Sequence, residues 1–501
     1  MKRRPTGALF TVLSLTAALA TLTPAGAATA ATTSAASFNV KDFGAKGNGT
    51  TVDSPAFDKA ITAASSAGGG IVEVPPGTYL ARTIHLKSNI TINLQAGSKI
   101  IASGSGMDAP ESNPNDKYQD FGHSHFNNAL LRGAGVQNVS FTGSGVIDGN
   151  NKIETGEDIK AGIADKMLSL TLCKNISISG ITLRQAGHFA IITNGCDGMK
   201  IDKLKVDTGD DRDGINFINS SNIEMSNSTI VASDDAVAFK SDYALGKTFV
   251  SENNIVRDTS ITSTENNAVQ FGSETCGSFR NIQFKNLTIG GASKAGLGLV
   301  SMDGATIEKI SYENIKLTKT GSPIFLHIGN RGRCPGKPGP GKIRDITFKN
   351  VTGTGLTAPK DIPGDPDYAS TISGRTDSPI ENVTFESVKL TVPGGHPASE
   401  ASATPPEVSD AYPPRIFGKR PSYGFWIRHA KAIGFVDSVF EFDKTDGRPA
   451  ILTNDVAGVF LSGTKVERSG GSYDVTWQKS SAQQVSDSTT TSGQALRIRT
   501  Q

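Results

Sequence analysis

Three carboxylic acids stand close together in the stretch that runs from residue 211 to residue 241. Asp213 and Asp234 are 21 residues apart (234 − 213 = 21), and Asp235 follows directly. That separation is close to one coil of a parallel β-solenoid, in which residues one coil apart stack above each other. Two carboxyl groups brought together in this way can divide the acid and base roles that cleavage of a glycosidic bond requires. The spacing therefore predicts an acid cluster suited to that chemistry.

The adjacent pair Asp234 and Asp235 imposes a condition on the fold. Successive side chains of a β-strand point to opposite faces of the sheet, so both acids can face one cleft only where the chain bends or bulges. The competing interpretation makes these aspartates ordinary turn residues. The coil-length spacing and the Lys240-Ser241 pair that follows favour catalysis.

A short repeated pattern, a small polar residue followed by alternating apolar residues, runs through most of the chain. Its central apolar residues Ile176, Met199 and Ile223 are 23 and 24 residues apart. This period is typical of a solenoid whose coils bury their faces against their neighbours. We predict an all-β fold, a single-stranded right-handed parallel β-helix over residues 38–466. Longer gaps later in the chain predict insertions at one turn, including a Pro-rich loop over residues 391–421.

The repeats contain many Asn-x-Ser/Thr triplets, for example at Asn138, Asn175 and Asn286. Asparagine tolerates the left-handed backbone conformation and forms side-chain ladders between stacked coils. We favour that structural interpretation over glycosylation signals.

Both ends of the chain depart from the repeat. Lys2, Arg3 and Arg4, an apolar run and Ala25-Gly26-Ala27 predict a signal peptide over residues 1–27, and hence a secreted, extracellular protein. An amphipathic helix from about Ser54 to Ala64, with Asp53 or Ser54 as its N-cap, is expected to cap the N-terminal end of the solenoid. Residues 467–501 turn polar and predict a poorly packed C-terminal tail.

Charge and cysteine content narrow the classes of partner and site. The chain carries a formal charge of +2, and removing three basic residues with the signal peptide leaves −1. This balance gives no reason to expect nucleic acid or membrane as a partner, and we expect a monomer. Cys173 and Cys196 occupy matching places in consecutive repeats and should stack, whereas Cys276 and Cys334 lie in loops. Their pairing stays open, and their spacing does not indicate a metal site.

The N-terminal segment, LLRGAGVQNVSFTGSGVIDG at 130–149 and the acid-bearing stretch resemble glycoside hydrolase family 28, the polygalacturonase family. That family's Asn-Thr-Asp-Gly corresponds to Asp211-Arg212-Asp213-Gly214, and its Gly-Asp-Asp corresponds to Ser233-Asp234-Asp235. The resemblance implies a right-handed β-helix that hydrolyses pectic galacturonan with inversion and without a metal or other cofactor. It also implies that Asp234 is the general acid and that Asp213 and Asp235 activate water.

Two family motifs are altered. The family's Gly-His-Gly corresponds to a stretch in which the histidine position holds Asn266 or Asn267. Its Arg-Ile-Lys, whose cations hold the substrate carboxylate, corresponds to Gly298 and Val300 at the two basic positions. Loss of this charge-assisted contact argues against unmodified polygalacturonic acid. A neutral sugar, or a branched or modified pectin, fits better beside the scissile bond.

The candidate substrate-binding residues share polar side chains near the acids or in loops that follow them: Lys240, Asn266, Asn267, Gln270, Arg331 and His188. Arg331 belongs to a cationic loop that either restores contact with a uronate or is only solvated. His188 either lines the groove or is structural. Tyr423 and Trp426 form either a sugar-stacking platform or part of the core.

Two other function classes remain open. A polysaccharide lyase on the same architecture would need Ca²⁺ held by several acids and a basic proton acceptor, for which Arg212 and Lys240 are the nearest candidates. A non-catalytic glycan-binding solenoid would need a groove but no acid pair. The sequence also leaves open whether attack is internal or from the chain end.

Overall fold

The computed structural model describes residues 36–119, 122–156, 160–360 and 368–501, and Ala36–Gln501 form one compact unit. The predicted signal peptide lies outside the described residues. Those residues form 38 β-strands, one α-helix (α1, Ser54–Ser66) and four short 3₁₀-helices (Val40–Phe43, Asp116–Tyr118, Ala398–Ser402 and Pro414–Phe417). Within the described parts of the chain, no helix has the length and apolar character of a membrane span.

The strands are short in the first half and longer in the second, where several run around a corner of the solenoid. The first sixteen are β1 Ser37–Asn39, β2 Asn48–Val52, β3 Gly70–Val74, β4 Gly77–Ala81, β5 Ile84–His85, β6 Ile90–Leu94, β7 Ser98–Ala102, β8 Ala129–Ala134, β9 Gln137–Gly143, β10 Val146–Asp148, β11 Lys166–Thr171, β12 Lys174–Ser179, β13 Thr182–Arg184, β14 Phe189–Asn194, β15 Asp197–Asp202 and β16 Lys205–Asp207. The next eleven are β17 Asp213–Ile218, β18 Ser221–Ser226, β19 Thr229–Ala232, β20 Val237–Ser241, β21 Ser251–Arg257, β22 Ser260–Ser263, β23 Val269–Thr275, β24 Phe279–Ser301, β25 Thr306–Leu317, β26 Thr320–Ile328 and β27 Lys342–Gly353. The last eleven are β28 Ser370–Ser373, β29 Ile380–Glu386, β30 Lys389–Gly394, β31 Phe425–Val436, β32 Val439–Lys444, β33 Ile451–Ser462, β34 Lys465–Val466, β35 Val475–Gln478, β36 Ser481–Ser486, β37 Thr489–Thr490 and β38 Ile498–Thr500.

The strands pair in parallel with strands of the neighbouring coils, most of them on both sides. In the sheet that concerns the site, β14 pairs with β17, β17 with β20, and β20 with β23. Parallel connections of this kind wind right-handed, and the fold is the predicted right-handed parallel β-helix. This ladder continues through β24, β26, β28 and β31, and we call it the acid sheet.

The core forms because the apolar positions of one coil lie over those of the next. Ile176 of β12 is in register with Met199 of β15, which is in register with Ile223 of β18, and all three are buried. A column of aromatic rings continues the core toward the C-terminus. Its consecutive members Phe284, Tyr312, Phe348 and Phe385 are stacked with centroid distances of 4.7, 4.9 and 5.0 Å.

The asparagines of the repeats adopt the left-handed backbone conformation and form side-chain ladders between coils, as predicted. Asn138, Asn175 and Asn286 have φ angles of 55°, 52° and 54°, in the left-handed region. The side chain of Asn175 donates to that of Asn138 at 2.7 Å, and Asn314 donates to Asn286 at 3.0 Å. These triplets therefore have a structural role.

Helix α1 lies where the sequence predicts it, and its buried residues include Phe57 and Ile61. Asp53, one of the two predicted residues, is the N-cap, although its side chain does not cap the helix. The Asp53 carboxylate accepts from the backbone N–H groups of Lys46 and Gly47, at 2.7 and 3.0 Å, and makes no capping bond to the helix. That the helix closes the end of the solenoid stays a prediction.

The C-terminal segment continues the coils, so the expectation of a poorly packed tail over residues 467–501 is corrected. β35 pairs with β33, and β38 pairs with β35. Val475 and Trp477 alternate with polar residues and are buried, so two apolar side chains are enough to continue the stack in an otherwise polar sequence.

Both disulfides join elements that the fold brings together. Cys173 and Cys196 stack in consecutive coils, as predicted, and are bonded. Cys276 and Cys334 join the loop after β23 to the loop after β26.

The Pro-rich insertion is a long ordered loop between β30 and β31, residues 395–424, which we call the arm. Phe417 of the arm packs on Phe325 and Trp426 of the acid sheet, with centroid distances of 6.0 and 5.3 Å. Arg428 donates to the carbonyl oxygens of Pro405 and Pro406 at 3.1 and 2.7 Å. Trp426 is therefore core beneath the arm, and Tyr423 is fully buried, so neither is a sugar platform.

Candidate active site

The predicted bend is present at the adjacent acids. Strand β19 ends at Ala232 and β20 begins at Val237, so Asp234 and Asp235 lie outside regular strand. Both face the same cleft as Asp213, the first residue of β17. This acid cleft is lined by His123, His188, Arg212, Asp213, Asp234, Asp235, Lys240, Asn266, Ser273, Glu274 and Tyr412.

The stacking of the acids differs by one residue from the sequence expectation. Ile215 is in register with Val237, which is 22 positions later, so Asp235 rather than Asp234 lies over Asp213. Asp234 instead lies over Arg212, whose carbonyl oxygen accepts from the Asp234 N–H at 3.1 Å. The coil at this point is one residue longer than the separation of Asp213 and Asp234.

The Asp234 carboxylate is held by donors on three sides. A terminal nitrogen of Arg212 is 3.0 Å from Oδ2, and Asn266 donates to Oδ1. The backbone N–H of Asp235 also donates to Oδ1, at 2.8 Å. With 19% of its side chain exposed, Asp234 is the most accessible of the three acids.

The two asparagines at the altered histidine position contact the acids directly. They lie between the end of β22 at Ser263 and the start of β23 at Val269, one coil after the acid bend. Asn267 donates to Asp235 Oδ1 at 2.8 Å, just as Asn266 donates to Asp234. The pair therefore orients both carboxylates.

A row of buried charges runs behind Asp213. Lys240 Nζ is 3.7 Å from an Asp213 oxygen and 3.8 Å from a Glu274 oxygen. Glu274 in turn is 2.7 Å from His123 Nδ1, and the side chains of both are 2% exposed. The sequence prediction contained Lys240 but missed Glu274 and His123. Glu274 follows Asn266 and Asn267 in the same stretch of sequence, whereas His123 lies in a distant loop without any local signal.

The charges around each buried acid decide whether its pKa is raised or lowered. Burial, then the charge of Asp234, raises the pKa of Asp213 well above its usual value, and the same causes raise the pKa of Asp235 to about 6. Burial alone would raise the pKa of Glu274, but the charges of His123 and Lys240 outweigh it and lower that pKa well below its usual value. The cleft thus combines carboxyls that retain a proton with one that stays ionised.

Two predicted substrate-binding residues, Gln270 and Arg331, do not line the acid cleft. Gln270 is buried, donates to the Phe271 carbonyl oxygen at 3.1 Å and does not line the cleft. Arg331 is neither solvated nor in the cleft, because Asp303 binds its guanidinium at 2.6 and 3.1 Å and the Ser273 carbonyl accepts from it at 2.9 Å.

His188 lines the cleft, as one of its two interpretations required. Its ring stacks on Phe189 with a centroid distance of 4.3 Å, and burial lowers its pKa to about 2. It is therefore a neutral wall of the cleft. His327 does not line the acid cleft. It packs against Phe417 beneath the arm.

The arm adds residues to this side of the molecule that the sequence analysis did not assign to the site. Tyr412 lines the acid cleft, and Arg415 lines a second cleft beside it. The second cleft is lined by Asp210, Arg212, Ser233, Asp234, Glu265, Asn266, Lys294 and Arg415, and so shares three residues with the first. Among the described residues, no group of three or more His, Cys, Asp or Glu side chains is placed to hold a metal ion.

The chain is similar to polygalacturonases in sequence. It is 25% identical over 385 residues to a polygalacturonase of Malus domestica, covering 71% of this chain and 75% of the relative. It is 27% identical over 350 residues to an exopolygalacturonase of Zea mays, covering 64% and 77%.

Solved structures share the fold. An exopolygalacturonase of Thermotoga maritima matches with a TM-score of 0.60 at 18% identity, covering 81% of this chain and 92% of that one. A family 28 exopolygalacturonase of Yersinia enterocolitica matches with a TM-score of 0.58 at 19% identity, covering 84% and 78%. The family model described as glycosyl hydrolases family 28 matches residues 70–409. With this match over most of its length, the chain belongs to glycosyl hydrolases family 28.

Proposed function

We propose that this glycoside hydrolase cleaves pectic polysaccharide, with galacturonan as the substrate class, by an inverting acid/base mechanism. The observation that carries the proposal is the acid cleft, in which two stacked turns bring Asp213, Asp234 and Asp235 together. The curated relatives named polygalacturonase and exopolygalacturonase support the choice of polysaccharide.

Asp234 protonates the leaving glycosidic oxygen, because it is the most accessible acid of the cluster. Asp213 and Asp235 activate the water that attacks from the opposite face. In the unliganded site Asp234 contacts Arg212, so the substrate must displace that cation before the proton can be delivered.

The protons of the cluster belong to the set of carboxyls rather than to one residue. Burial raises the pKa of Asp213 and Asp235, so the cluster retains a proton in mildly acidic solution. An acid/base reaction needs one protonated and one ionised carboxyl. We expect a bell-shaped dependence of kcat/KM on pH, with the alkaline limb falling as the last of these protons leaves.

The test is reducing-end release from polygalacturonate, methylated pectin, rhamnogalacturonan, galactan and arabinan. Asp234→Asn should lower the rate on the active substrate by about 10²–10⁴-fold, and the matched exposed variant Asp443→Asn should not. The anomer first released, observed by NMR, tests inversion. Unsaturated products that absorb in the ultraviolet would identify a lyase instead. Equal rates for Asp234→Asn and the unaltered protein would contradict the assignment.

We propose further that the protein is secreted and acts as a monomer. The basic and apolar N-terminal residues followed by Ala25-Gly26-Ala27 support export. Intact mass of the exported chain should place its first residue at Ala28, and light scattering should give the mass of one chain.

A further inference from the structure

The second cleft contains two basic side chains without a carboxylate partner. Lys294 is half-buried and Arg415 is exposed, and neither makes an ion pair within the parts of the chain that the structure describes. A cation outside any ion pair can bind an anionic ligand. Whether the second cleft favours an anion depends on its other charges.

Most of the acidic lining of the second cleft is already compensated. Asp234 contacts Arg212 at 3.0 Å, and Glu265 contacts Lys360 at 2.7 Å. Asp210 is exposed and has no cation within ion-pair distance among the described residues. Lys294 and Arg415 therefore stand outside ion pairs against the one such carboxylate of this cleft, Asp210. Lys294 also acts at longer range on Asp235 of the acid cleft, whose pKa it lowers. Arg415 has no such counter-charge among the described residues, so the second cleft can accept an added anionic group.

The two positions where the family resemblance expects cations are both buried among other side chains. Val300 lies in an apolar cluster with Phe325, Trp426 and Phe417 of the arm. A side chain at Gly298 would overlap the side-chain oxygen of Gln270. The arm and the Gln270 side chain therefore occupy the space next to these two positions.

We propose that Lys294 and Arg415 bind the carboxylate of a uronic acid residue in the second cleft, next to the bond that Asp234 cleaves. The proposal rests on the proposed function, since it places this sugar within the pectic substrate. The guanidinium of Arg415 presents a planar pair of donors that matches a carboxylate, and the ammonium of Lys294 adds a point charge. The arm thus supplies from a distant segment what the altered motif lacks.

The arm holds Arg415 in a defined place. Arg415 belongs to the 3₁₀-helix Pro414–Phe417, whose Phe417 is buried against the acid sheet. Arg420 is buried and donates to the Pro414 carbonyl oxygen at 2.6 Å. Such fixation lowers the conformational entropy lost when the guanidinium binds a ligand. The sugar beside the scissile bond is consequently acidic, which reverses the preference for a neutral sugar inferred from the missing motif.

The experiment measures binding of trigalacturonate and of its full methyl ester by calorimetry. Asp213→Asn serves as background, because it removes turnover and does not line the second cleft. Lys294→Met and Arg415→Gln should each weaken binding of the acid about tenfold or more and leave binding of the ester unchanged. Lys316→Met, which removes an exposed cation elsewhere on the solenoid, is the matched control. Asp210→Asn should tighten binding of the acid.

The possible outcomes separate this inference from the proposed function. Equal losses for acid and ester, or no loss, would overturn the carboxylate site even if the unaltered enzyme cleaves pectin. Cation-dependent binding of the acid without cleavage by the unaltered enzyme would support the site and reject the hydrolase proposal. Binding of neither trimer together with inactivity on the polysaccharide panel would overturn both.

Discussion

At the scale of single residues, two buried carboxyls of one cleft have opposite effects on stability. Burial and the charge of Asp234 raise the pKa of Asp235 to about 6, because the charges of Lys240 and Lys294 offset them only in part. Glu274 lies beside His123 and Lys240, whose charges more than offset the effect of burial on its pKa. Ionisation of Asp235 therefore destabilises the folded protein, whereas ionisation of Glu274 stabilises it.

Asp235→Asn is expected to stabilise the protein while removing activity. The unfolded chain releases this proton near pH 4, whereas the folded protein retains it to about pH 6. Folding therefore becomes less favourable as pH rises between those values, by about 1–3 kcal/mol in all. The amide stays neutral, so the melting temperature should rise at pH 7 and change little at pH 4. A lower melting temperature at pH 7 would contradict this expectation.

Glu274→Gln is expected to act in the opposite direction. The variant leaves His123 buried without its carboxylate and Lys240 with Asp213 alone, a loss of about 3–5 kcal/mol for a broken buried ion pair. Because the folded pKa of Glu274 is lowered, its contribution is present above the unfolded pKa and disappears as pH falls through the folded one. Denaturant unfolding at pH 7 should show the loss, whereas the surface pair variant Glu386→Gln should change stability by less than about 1 kcal/mol.

At the scale of elements, we expect the arm to limit how far a sugar chain can extend along the acid sheet. Phe417 covers Phe325 and Trp426, so the face of the sheet beyond the acid cleft is closed to a sugar chain. A groove closed at one side favours attack near a chain end.

We therefore expect short products from the first minutes of reaction. Phe417→Ala removes the main apolar contact of the arm, a change of about 3–5 kcal/mol in a packed core, and should allow oligomers of intermediate length to appear. Product sizes followed over time by chromatography check this. Intermediate oligomers appearing first with the unaltered enzyme would show that the arm does not end the groove.

At the scale of the whole molecule, stability comes from stacking each coil on the next, so both ends of the solenoid need cover. At the C-terminal end, β35 and β36 pair with β33, and Val475 and Trp477 are buried. The polar last segment is thus part of the folded body.

A chain ending at Val466 is expected to aggregate, because its last strands would expose unpaired edges and the core beneath them. Gel filtration and thermal unfolding of the truncated and full chains test this. A soluble monomer with the melting temperature of the full chain would show that the segment is dispensable, as its composition suggests.

The sequence by itself determined the features that repeat or lie close together in the chain. The coil period, the bend at Asp234 and Asp235, the stacked Cys173 and Cys196, and the asparagine turns are all local patterns, and each is present in the structure. The acid cluster and the fold followed from them because a solenoid converts a constant sequence spacing into spatial proximity.

Only the tertiary structure decided which residues surround the acids. The register of Ile215 with Val237, 22 positions later, places Asp235 rather than Asp234 over Asp213. The loop that contributes His123 and the arm that contributes Arg415 enter from segments far along the chain. Insertions at turns have no period, so their sequence does not indicate where they fold back. Their packing against the acid sheet, and not any motif, placed these side chains at the clefts.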